Sequence, residues 1–257
     1  MSSGQVAVLL HAFPCDGSMW SAQADALSAA GWDVLVPDLP GFGRSDLIDG
    51  APSIDAVADT VLRQLAAQRI DRAVLGGLSL GGYVAMAMLR KAPAKFSAVM
   101  LCDTKASADG EQAIANRERL AEAVLAEPGD CGRILRESVL PGLLGATTFA
   151  RRPAVVEEVT AWLDAARPAT VAWYQRAMAA RPESFDTLAA LTVPTLVLWG
   201  EQDTLSPAAD QRAMLDVLRR GTEHRVAESG HLSATECSAD VSGAIVGFLE
   251  SARPAFV

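Results

Sequence analysis

AVLGGLSLGGYVAMAML, residues 73–89, decides the fold of this chain. A short apolar run leads into GGLSLGG, residues 76–82, and a second apolar stretch follows it. This pattern predicts a buried strand, a sharp turn and a buried helix in succession. The stretch is uncharged between Arg72 and Arg90, but it is shorter than the roughly 20 residues of a membrane-spanning helix, and glycines crowd its first half. We therefore predict no transmembrane segment.

GGLSLGG does not fit either of two glycine-rich nucleotide-binding motifs. A Walker loop requires Lys after its second glycine, where this chain has Gly82. A dinucleotide fingerprint requires a middle glycine, and that position falls on Leu78 or Ser79. The remaining interpretation is a nucleophile elbow, G-x-S-x-G, in which tiny residues must flank the serine. The sequence thus predicts Ser79 as a nucleophile, with a purely structural glycine turn as the alternative.

Outward from this stretch, short apolar runs alternate with longer runs of helical periodicity. Most strand candidates are apolar throughout, which is typical of a parallel sheet covered on both faces. The candidates are residues 6–11, 33–38, 73–78, 98–102, 195–200 and 224–227. We therefore predict an α/β fold with a mostly parallel sheet and helices on both faces.

One region interrupts the alternation. Residues 105–187 contain helical patterns broken by prolines and no convincing strand. We predict a core formed by residues 1–104 and 188–257, and a helical cap formed by residues 105–187. The candidate substrate contacts are aromatic residues of the first helix and the cap: Trp20, Trp162, Trp173 and Tyr174. The alternative is that these aromatic side chains only pack the cap onto the sheet.

A nucleophilic serine needs a base, and the chain has only three histidines. His224 begins a strand candidate, and His11 ends the first one. His231 follows the last strand, in a loop beyond its carboxyl end. Because ligands gather at the carboxyl ends of parallel strands, we predict His231 as the general base.

A carboxylate is needed to hold the histidine in the correct tautomer. Asp203 and Asp103 both end strand candidates. Asp203 is preferred because it completes the chain order Ser, Asp, His that follows a nucleophile elbow. Asp103 remains the alternative.

Two backbone N–H groups are predicted to form an oxyanion hole. One is that of Leu80, directly after the nucleophile and at the start of a helix. The second belongs to the loop after the first strand, where we predict Phe13 because Pro14 has no N–H.

Five motifs of this chain resemble the α/β-hydrolase superfamily in the same order. They are LLHAFPCDGSMW (9–20), VPDLPGFGRS (36–45), GLSLGG (77–82), LWGEQDTLSP (198–207) and ESGH (228–231). The resemblance implies an α/β-hydrolase fold and a Ser79–His231–Asp203 triad. It further implies hydrolysis of a small, largely apolar carboxylic ester through an acyl-enzyme, without metal or organic cofactor. A serine nucleophile argues against similar haloalkane dehalogenases and epoxide hydrolases, which attack through a carboxylate.

Three alternatives stay open. A lactonase resembling the 3-oxoadipate enol-lactonases would need a cation for its anionic substrate, and Arg151 and Arg152 of the cap are candidates unless they form a solvated pair. Carbon–carbon bond hydrolases and cofactor-free haloperoxidases have similar motifs. From a different class, a hydrolase-like receptor would bind a ligand with little turnover.

Composition excludes several other function classes. The 257 residues carry a formal net charge of -9, which repels nucleic acids and anionic membrane surfaces. Four dispersed cysteines indicate neither a disulfide framework nor a zinc site. The start MSSGQVAVLLHAFP has no basic region typical of a secretory signal, so a cytoplasmic protein is expected. We expect a monomer or homodimer whose partner is a small-molecule ester or lactone.

Overall fold

A computed structural model describes residues 5–252 of the chain. Residues 1–4 and 253–257, which are the two ends of the predicted core, lie outside the described part. Six parallel strands form one sheet in the order β2-β1-β3-β4-β5-β6. The strands are β1 (Gln5–Leu10), β2 (Trp32–Leu35), β3 (Ala73–Leu78), β4 (Phe96–Cys102), β5 (Thr195–Gly200) and β6 (Gly221–Val226). The predicted parallel α/β architecture is confirmed.

Helices fill the connections between the strands. The α-helices are α1 (Ser21–Ala29), α2 (Ile54–Ala67), α3 (Leu80–Lys91), α4 (Glu111–Ala126), α5 (Cys131–Ser138), α6 (Leu140–Leu143), α7 (Ala146–Arg151), α8 (Pro153–Ala165), α9 (Pro168–Ala179), α10 (Phe185–Ala189), α11 (Ala208–Val217), α12 (Ser233–Glu236) and α13 (Ser238–Ala252). Short 3-10 turns cover Gly17–Trp20, Pro93–Lys95 and Pro128–Asp130. Helix α1 packs against α13, and α2 packs against α3.

The central strands are the most deeply buried part of the sheet. Every residue of β3, β4 and β5 is buried, as the uninterrupted apolar runs predict for strands covered on both faces. The edge strand β6 exposes most of its residues. Because the central strands are buried on both faces, their carboxyl ends are held in fixed positions, and so are the starts of the loops that follow them.

The segment between β4 and β5 contains seven helices, α4 to α10, and no strand in the described structure. Helix α4 packs against α9, and α5 packs against α8. Helix α10 spans the predicted boundary at residue 187 and contacts α3 and α11. The division into a core and a cap at residues 105 and 187 remains a prediction.

Strands β3 and β5 have their predicted bounds, β1 and β4 differ from theirs by one or two residues, and β2 and β6 differ by up to three. Strand β2 ends at Leu35 rather than at residue 38, since Pro37 has no N–H to contribute to the sheet. Strand β6 begins at Gly221, three residues before the predicted start. Within residues 5–252, no helix has the length and apolarity needed to cross a membrane.

Candidate active site

Ser79 occupies a strained turn between β3 and α3. Its backbone angles are φ 53° and ψ -111°, a conformation that is costly for a residue with a side chain. Two glycines make the turn possible. A Cβ at Gly77 would collide with the backbone of Gly81, and a Cβ at Gly81 would collide with the carbonyl of Leu10. The motif spacing G-x-S-x-G is thus a steric requirement of this turn.

This steric requirement predicts opposite effects of alanine at two glycines. We expect Gly81→Ala to lower the free energy of unfolding by about 1 to 3 kcal/mol, because the new methyl group meets backbone atoms. Gly247→Ala is the matched control, since a Cβ there meets nothing within 4 Å. Gly247 is an exposed position in helix α13, where alanine should raise stability by about 0.5 to 1 kcal/mol. Urea unfolding measures both changes, and equal effects would contradict the steric account.

Ser79, His231 and Asp203 form a continuous chain of hydrogen bonds. Ser79 Oγ lies 2.7 Å from His231 Nε2, and His231 Nδ1 lies 2.8 Å from Asp203 Oδ2. Asp203 follows β5 and His231 follows β6, so the carboxyl ends of three strands supply the three side chains. Both His231 and Asp203 are only 5% exposed. The structure therefore brings together the three residues that the sequence predicted as a triad.

The loop after β5 holds the Asp203 carboxylate in place. Its Oδ1 accepts hydrogen bonds from the N–H groups of Leu205 (2.8 Å) and Ser206 (3.1 Å). The hydroxyl of Ser206 donates to Oδ2 at 2.5 Å. Three donors besides the histidine thus orient the carboxylate toward His231.

The two charged partners shift each other's pKa. Burial raises the pKa of Asp203, but the charge and hydrogen bond of His231, with the bonds from Ser206, lower it by more, so the carboxyl stays ionised. Burial lowers the pKa of His231, but the charge and hydrogen bond of Asp203 raise it above the usual 6.5. His231 is therefore a stronger base than an isolated imidazole.

Asp103 is buried near the triad without contacting His231. It accepts hydrogen bonds from the N–H of Gly200 at 2.8 Å and of Ser233 at 3.2 Å, and from the Ser233 hydroxyl. Burial, followed by the negative charge of Asp203, raises the pKa of Asp103 well above its usual range. Asp103 thus joins the end of β5 to the start of α12, and the position beside His231 belongs to Asp203.

Two backbone N–H groups near the nucleophile have no acceptor in the described part of the chain: that of Leu80, which follows Ser79 in the chain, and that of Phe13, which lines the same cavity as Ser79. Leu80 is the first residue of α3, so its N–H has no acceptor within the helix. The N–H of Phe13 has no hydrogen-bond acceptor among residues 5–252. These are the two donors that the sequence predicted for an oxyanion hole.

The other two histidines have structural partners. His11 Nε2 accepts from the N–H of Leu39 at 2.9 Å, which leaves the proton on Nδ1 to donate to the Ala12 carbonyl at 2.9 Å. Burial lowers the pKa of His11, so it is a neutral brace between the loops after β1 and β2. His224 Nε2 lies 3.1 Å from Asp240 on the surface.

Ser79 and His231 open into a cavity of about 750 Å³. Its walls come from the loop after β1, from the segment between β4 and β5, and from the loop after β5, and they include both apolar and charged side chains. The larger apolar residues that line it are Phe13, Leu120, Ile134, Val139, Leu143, Met178 and Leu205. A volume of this size suits a small organic molecule.

The four aromatic residues predicted to contact substrate do not line this cavity. Trp20 is fully buried in the core, and Tyr174 packs against Phe42 with ring centroids 4.7 Å apart. Trp162 Nε1 donates to Ser18 Oγ at 3.3 Å, and Trp173 Nε1 donates to the Gly50 carbonyl at 3.2 Å. These side chains are engaged in packing, which was the alternative explanation of their pattern.

Sequence reasoning missed the face of α4 that lines the cavity. Ala113, Arg117, Leu120 and Ala123 contribute to the wall, at spacings of three and four residues. This spacing defines one face of a helix and was a usable signal. Arg151 and Arg152, the cations proposed for an anionic substrate, lie elsewhere and pair with Glu228 at 3.7 and 3.8 Å.

No group of three or more His, Cys, Asp or Glu side chains within residues 5–252 is placed to hold a metal ion. The four cysteines are unpaired thiols, and three of them are buried. The site as described consists of the serine, histidine and aspartate, the two N–H groups and the cavity.

Comparison with known proteins identifies the family. The family model for the alpha/beta hydrolase fold matches residues 6–236. A solved thermophilic esterase from Thermogutta terrifontis, malate bound, has 38% sequence identity and a TM-score of 0.91, covering 97% of this chain and 90% of that chain. The AB hydrolase superfamily protein YisY from Bacillus subtilis is 25% identical over 259 residues, covering 96% of this chain and 92% of its own length.

A solved enol-lactonase from Burkholderia xenovorans LB400 has 24% identity and a TM-score of 0.87, covering 97% of this chain and 92% of that chain. At this identity it shows the shared fold alone. The family match spans most of the chain, and the esterase is similar along nearly its whole length. This chain is a hydrolase that belongs to the α/β-hydrolase fold family.

Proposed function

We propose that this chain is a serine hydrolase that cleaves the carboxylic ester bond of a small, largely apolar substrate through an acyl-enzyme. One observation carries the proposal: Ser79 Oγ, 2.7 Å from His231 Nε2, lines the cavity, and Asp203 supports the histidine at 2.8 Å. A serine, a base and a carboxylate in this order form the arrangement that activates a hydroxyl for attack on a carbonyl.

The proposed reaction has two halves. In the first, Ser79 Oγ attacks the ester carbonyl while His231 Nε2 accepts the hydroxyl proton. The same proton then goes to the departing alcohol, and the acyl group stays on Ser79. In the second half, His231 takes a proton from water, the hydroxide attacks the acyl-enzyme, and the carboxylic acid leaves as Ser79 regains its proton.

The backbone supports the charge that develops on the carbonyl oxygen. The N–H groups of Leu80, which follows Ser79, and of Phe13, which lines the same cavity, are free donors that would serve this oxyanion. Donors fixed before the reaction stabilise an oxyanion without reorganisation, and each contributes about 10²- to 10³-fold in kcat in serine hydrolases. The ionised Asp203 stabilises the imidazolium that His231 becomes in each half.

The apolar side chains that line the cavity beside Ser79 and the esterase relative at 38% identity support an ester as substrate. A lactone is an internal ester, so the same groups act on it without any added residue. Arg151 and Arg152 pair with Glu228 and do not line the cavity, so they do not supply the cation that the enol-lactone alternative needs. No contact within the described chain favours a ligand receptor over an enzyme.

Hydrolysis of a p-nitrophenyl ester series from acetate to decanoate, with several small lactones beside it, tests the proposal. We expect turnover of about 1 to 1000 s⁻¹ on the preferred ester, with an optimum chain length set by the 750 Å³ cavity. A burst of p-nitrophenol equal to the enzyme concentration indicates acyl-enzyme accumulation. Rates equal to those in buffer for every ester and lactone would contradict the proposal and favour a receptor.

A further inference from the structure

The cavity concentrates positive charge in an acidic protein. The chain carries a net charge of -9, yet three cationic side chains, Lys105, Arg117 and Arg119, line the cavity against one carboxylate, Asp109. The proposed ester hydrolysis requires none of these four residues. Charge of one sign in a cleft raises the local concentration of ligands with the opposite charge.

Asp109 is shared by three cations. Its side chain is fully buried, and its oxygens lie 2.5 Å from Arg117 Nε, 2.9 Å from Arg181 Nη2 and 3.7 Å from Lys105 Nζ. Burial raises the pKa of Asp109, but Arg181 and Arg117 lower it to about 2, so it contributes a single negative charge. The buried Arg181 by itself balances this one negative charge. The positive charges of Lys105 and Arg117 are therefore in excess of the negative charge at this point of the wall.

Neighbouring carboxylates do not balance this excess. Glu118, next to Arg117 in α4, faces away to bind Arg176 through its side-chain oxygens at 2.5 Å. Arg119 donates to Asn116 and has no carboxylate within 4.0 Å among the described residues. The wall formed by Lys105, Arg117 and Arg119 therefore carries a net positive charge that internal ion pairs do not neutralise.

Lys105 and Arg117 also retain unused donors. Across residues 5–252, Lys105 Nζ has no hydrogen-bond acceptor, and neither has Arg117 Nη2. Arg117 is held in place by Asp109 through Nε and by Gln175 through Nη1 at 3.1 Å. Both side chains are 20% exposed, so their charges are partly desolvated. Partly buried cations with free N–H groups are suited to receive an anion.

From this arrangement we infer that the cavity binds a substrate with a free carboxylate in addition to its ester, held by Lys105 Nζ and Arg117 Nη2. Both cations lie within 4 Å of the Asp109 carboxylate, so they occupy the same part of the cavity wall, and one bound carboxylate has two oxygens that could accept from both. The ester part of this inference rests on the proposed function. The preferred substrate class is then the monoesters of dicarboxylic acids.

Two esters with the same number of acyl carbons test this substrate class: p-nitrophenyl hydrogen glutarate, with a terminal carboxylate, and p-nitrophenyl valerate, without one. For the wild type we expect kcat/KM for the glutarate ester to exceed that for the valerate ester by about 10- to 100-fold. This ratio corresponds to the free energy that one hydrogen bond to a charged group contributes. The preference should decline as salt is added, because ions screen the attraction. A ratio at or below one would overturn the inference.

Variants separate charge recognition from packing. Lys105→Met and Arg117→Met should each lower the glutarate-to-valerate ratio by about tenfold. The control is Lys91→Met, which removes a surface lysine paired with Asp59 at 2.9 Å and should leave the ratio unchanged. Equal losses on both esters in the two cavity variants would assign these residues a structural role and contradict the inference.

Calorimetric binding of methyl hydrogen glutarate, which keeps one free carboxylate, and of uncharged methyl valerate to the Ser79→Ala protein separates this inference from the proposed function. Tighter binding of the glutarate monoester, weakened by Lys105→Met, supports the carboxylate site even if neither p-nitrophenyl ester is hydrolysed by the wild type, an outcome that would contradict only the esterase proposal. Equal binding of the two methyl esters, together with rapid hydrolysis of p-nitrophenyl valerate, would overturn the carboxylate site and leave the esterase proposal in place.

Discussion

Ser79→Ala is expected to lower kcat for ester hydrolysis by about a million-fold, the loss typical of a removed serine nucleophile. The reason is that Ser79 Oγ, 2.7 Å from His231 Nε2, is the atom that forms the acyl bond in the proposed reaction. Any residual rate comes from binding and from the free N–H groups of Phe13 and Leu80. Stopped-flow and long-time assays on the preferred p-nitrophenyl ester together cover this range.

The control for this loss is a serine far from the site. Ser28→Ala changes an exposed side chain on α1 and should leave kcat unchanged. Urea unfolding of both variants checks that Ser79→Ala is folded. A Ser79→Ala protein that is folded and retains more than a tenth of the wild-type kcat would contradict the role of this serine.

Asp203→Asn is expected to lower kcat by about 10⁴-fold, whereas Asp103→Asn should cause a much smaller loss. Asp203 contacts His231 Nδ1 at 2.8 Å, and an amide there no longer stabilises the imidazolium or enforces the productive tautomer. Asp103 contacts Gly200 and Ser233 instead. The matched pair of substitutions therefore separates two buried aspartates near one histidine.

The pH profile provides an independent readout of the Asp203 substitution. Hydrolysis needs neutral His231, so kcat/KM should fall as the pH drops through the pKa of His231, which Asp203 raises above 6.5. In Asp203→Asn that support is absent and burial lowers the pKa of His231, so the acidic limb should move to lower pH. An unchanged limb in Asp203→Asn, or equal losses of kcat in the two variants, would contradict the assignment.

The residues Ser79, His231 and Asp203 could be predicted from the sequence because few residue types at few positions can form a nucleophile, a base and its supporting carboxylate. The steric demand at Gly77 and Gly81 turns a weak motif into a specific one once a strand precedes it and a helix follows. The choice of His231 depended on there being only three histidines, and that of Asp203 on its order in the chain. Ser79 and Asp203 follow β3 and β5, whose apolar runs could also be recognised in the sequence.

Residues contributed by the helices between β4 and β5 were not readable in the same way. Trp162 and Trp173 were chosen for their size, but their indole N–H groups bind Ser18 and Gly50 in packing contacts. Lys105 and Arg117 were not predicted as site residues because the sequence does not indicate which groups an individual lysine or arginine contacts in the fold. Their importance depends on sharing Asp109 with Arg181, a contact made only when α4 and the segment after α9 are brought together.

Covalent labelling of Ser79 tests the central claim most directly. The chain is treated with a p-nitrophenyl alkylphosphonate, which leaves a stable adduct on an activated serine, and is then cleaved with trypsin. Because no lysine or arginine lies between Arg72 and Arg90, residues 73–90 form one peptide in which Ser79 is the only serine. We predict one adduct per chain, on this peptide, with loss of ester hydrolysis in proportion to labelling. Complete loss of hydrolysis with the adduct on another peptide, or full labelling of this peptide with hydrolysis intact, would contradict the account.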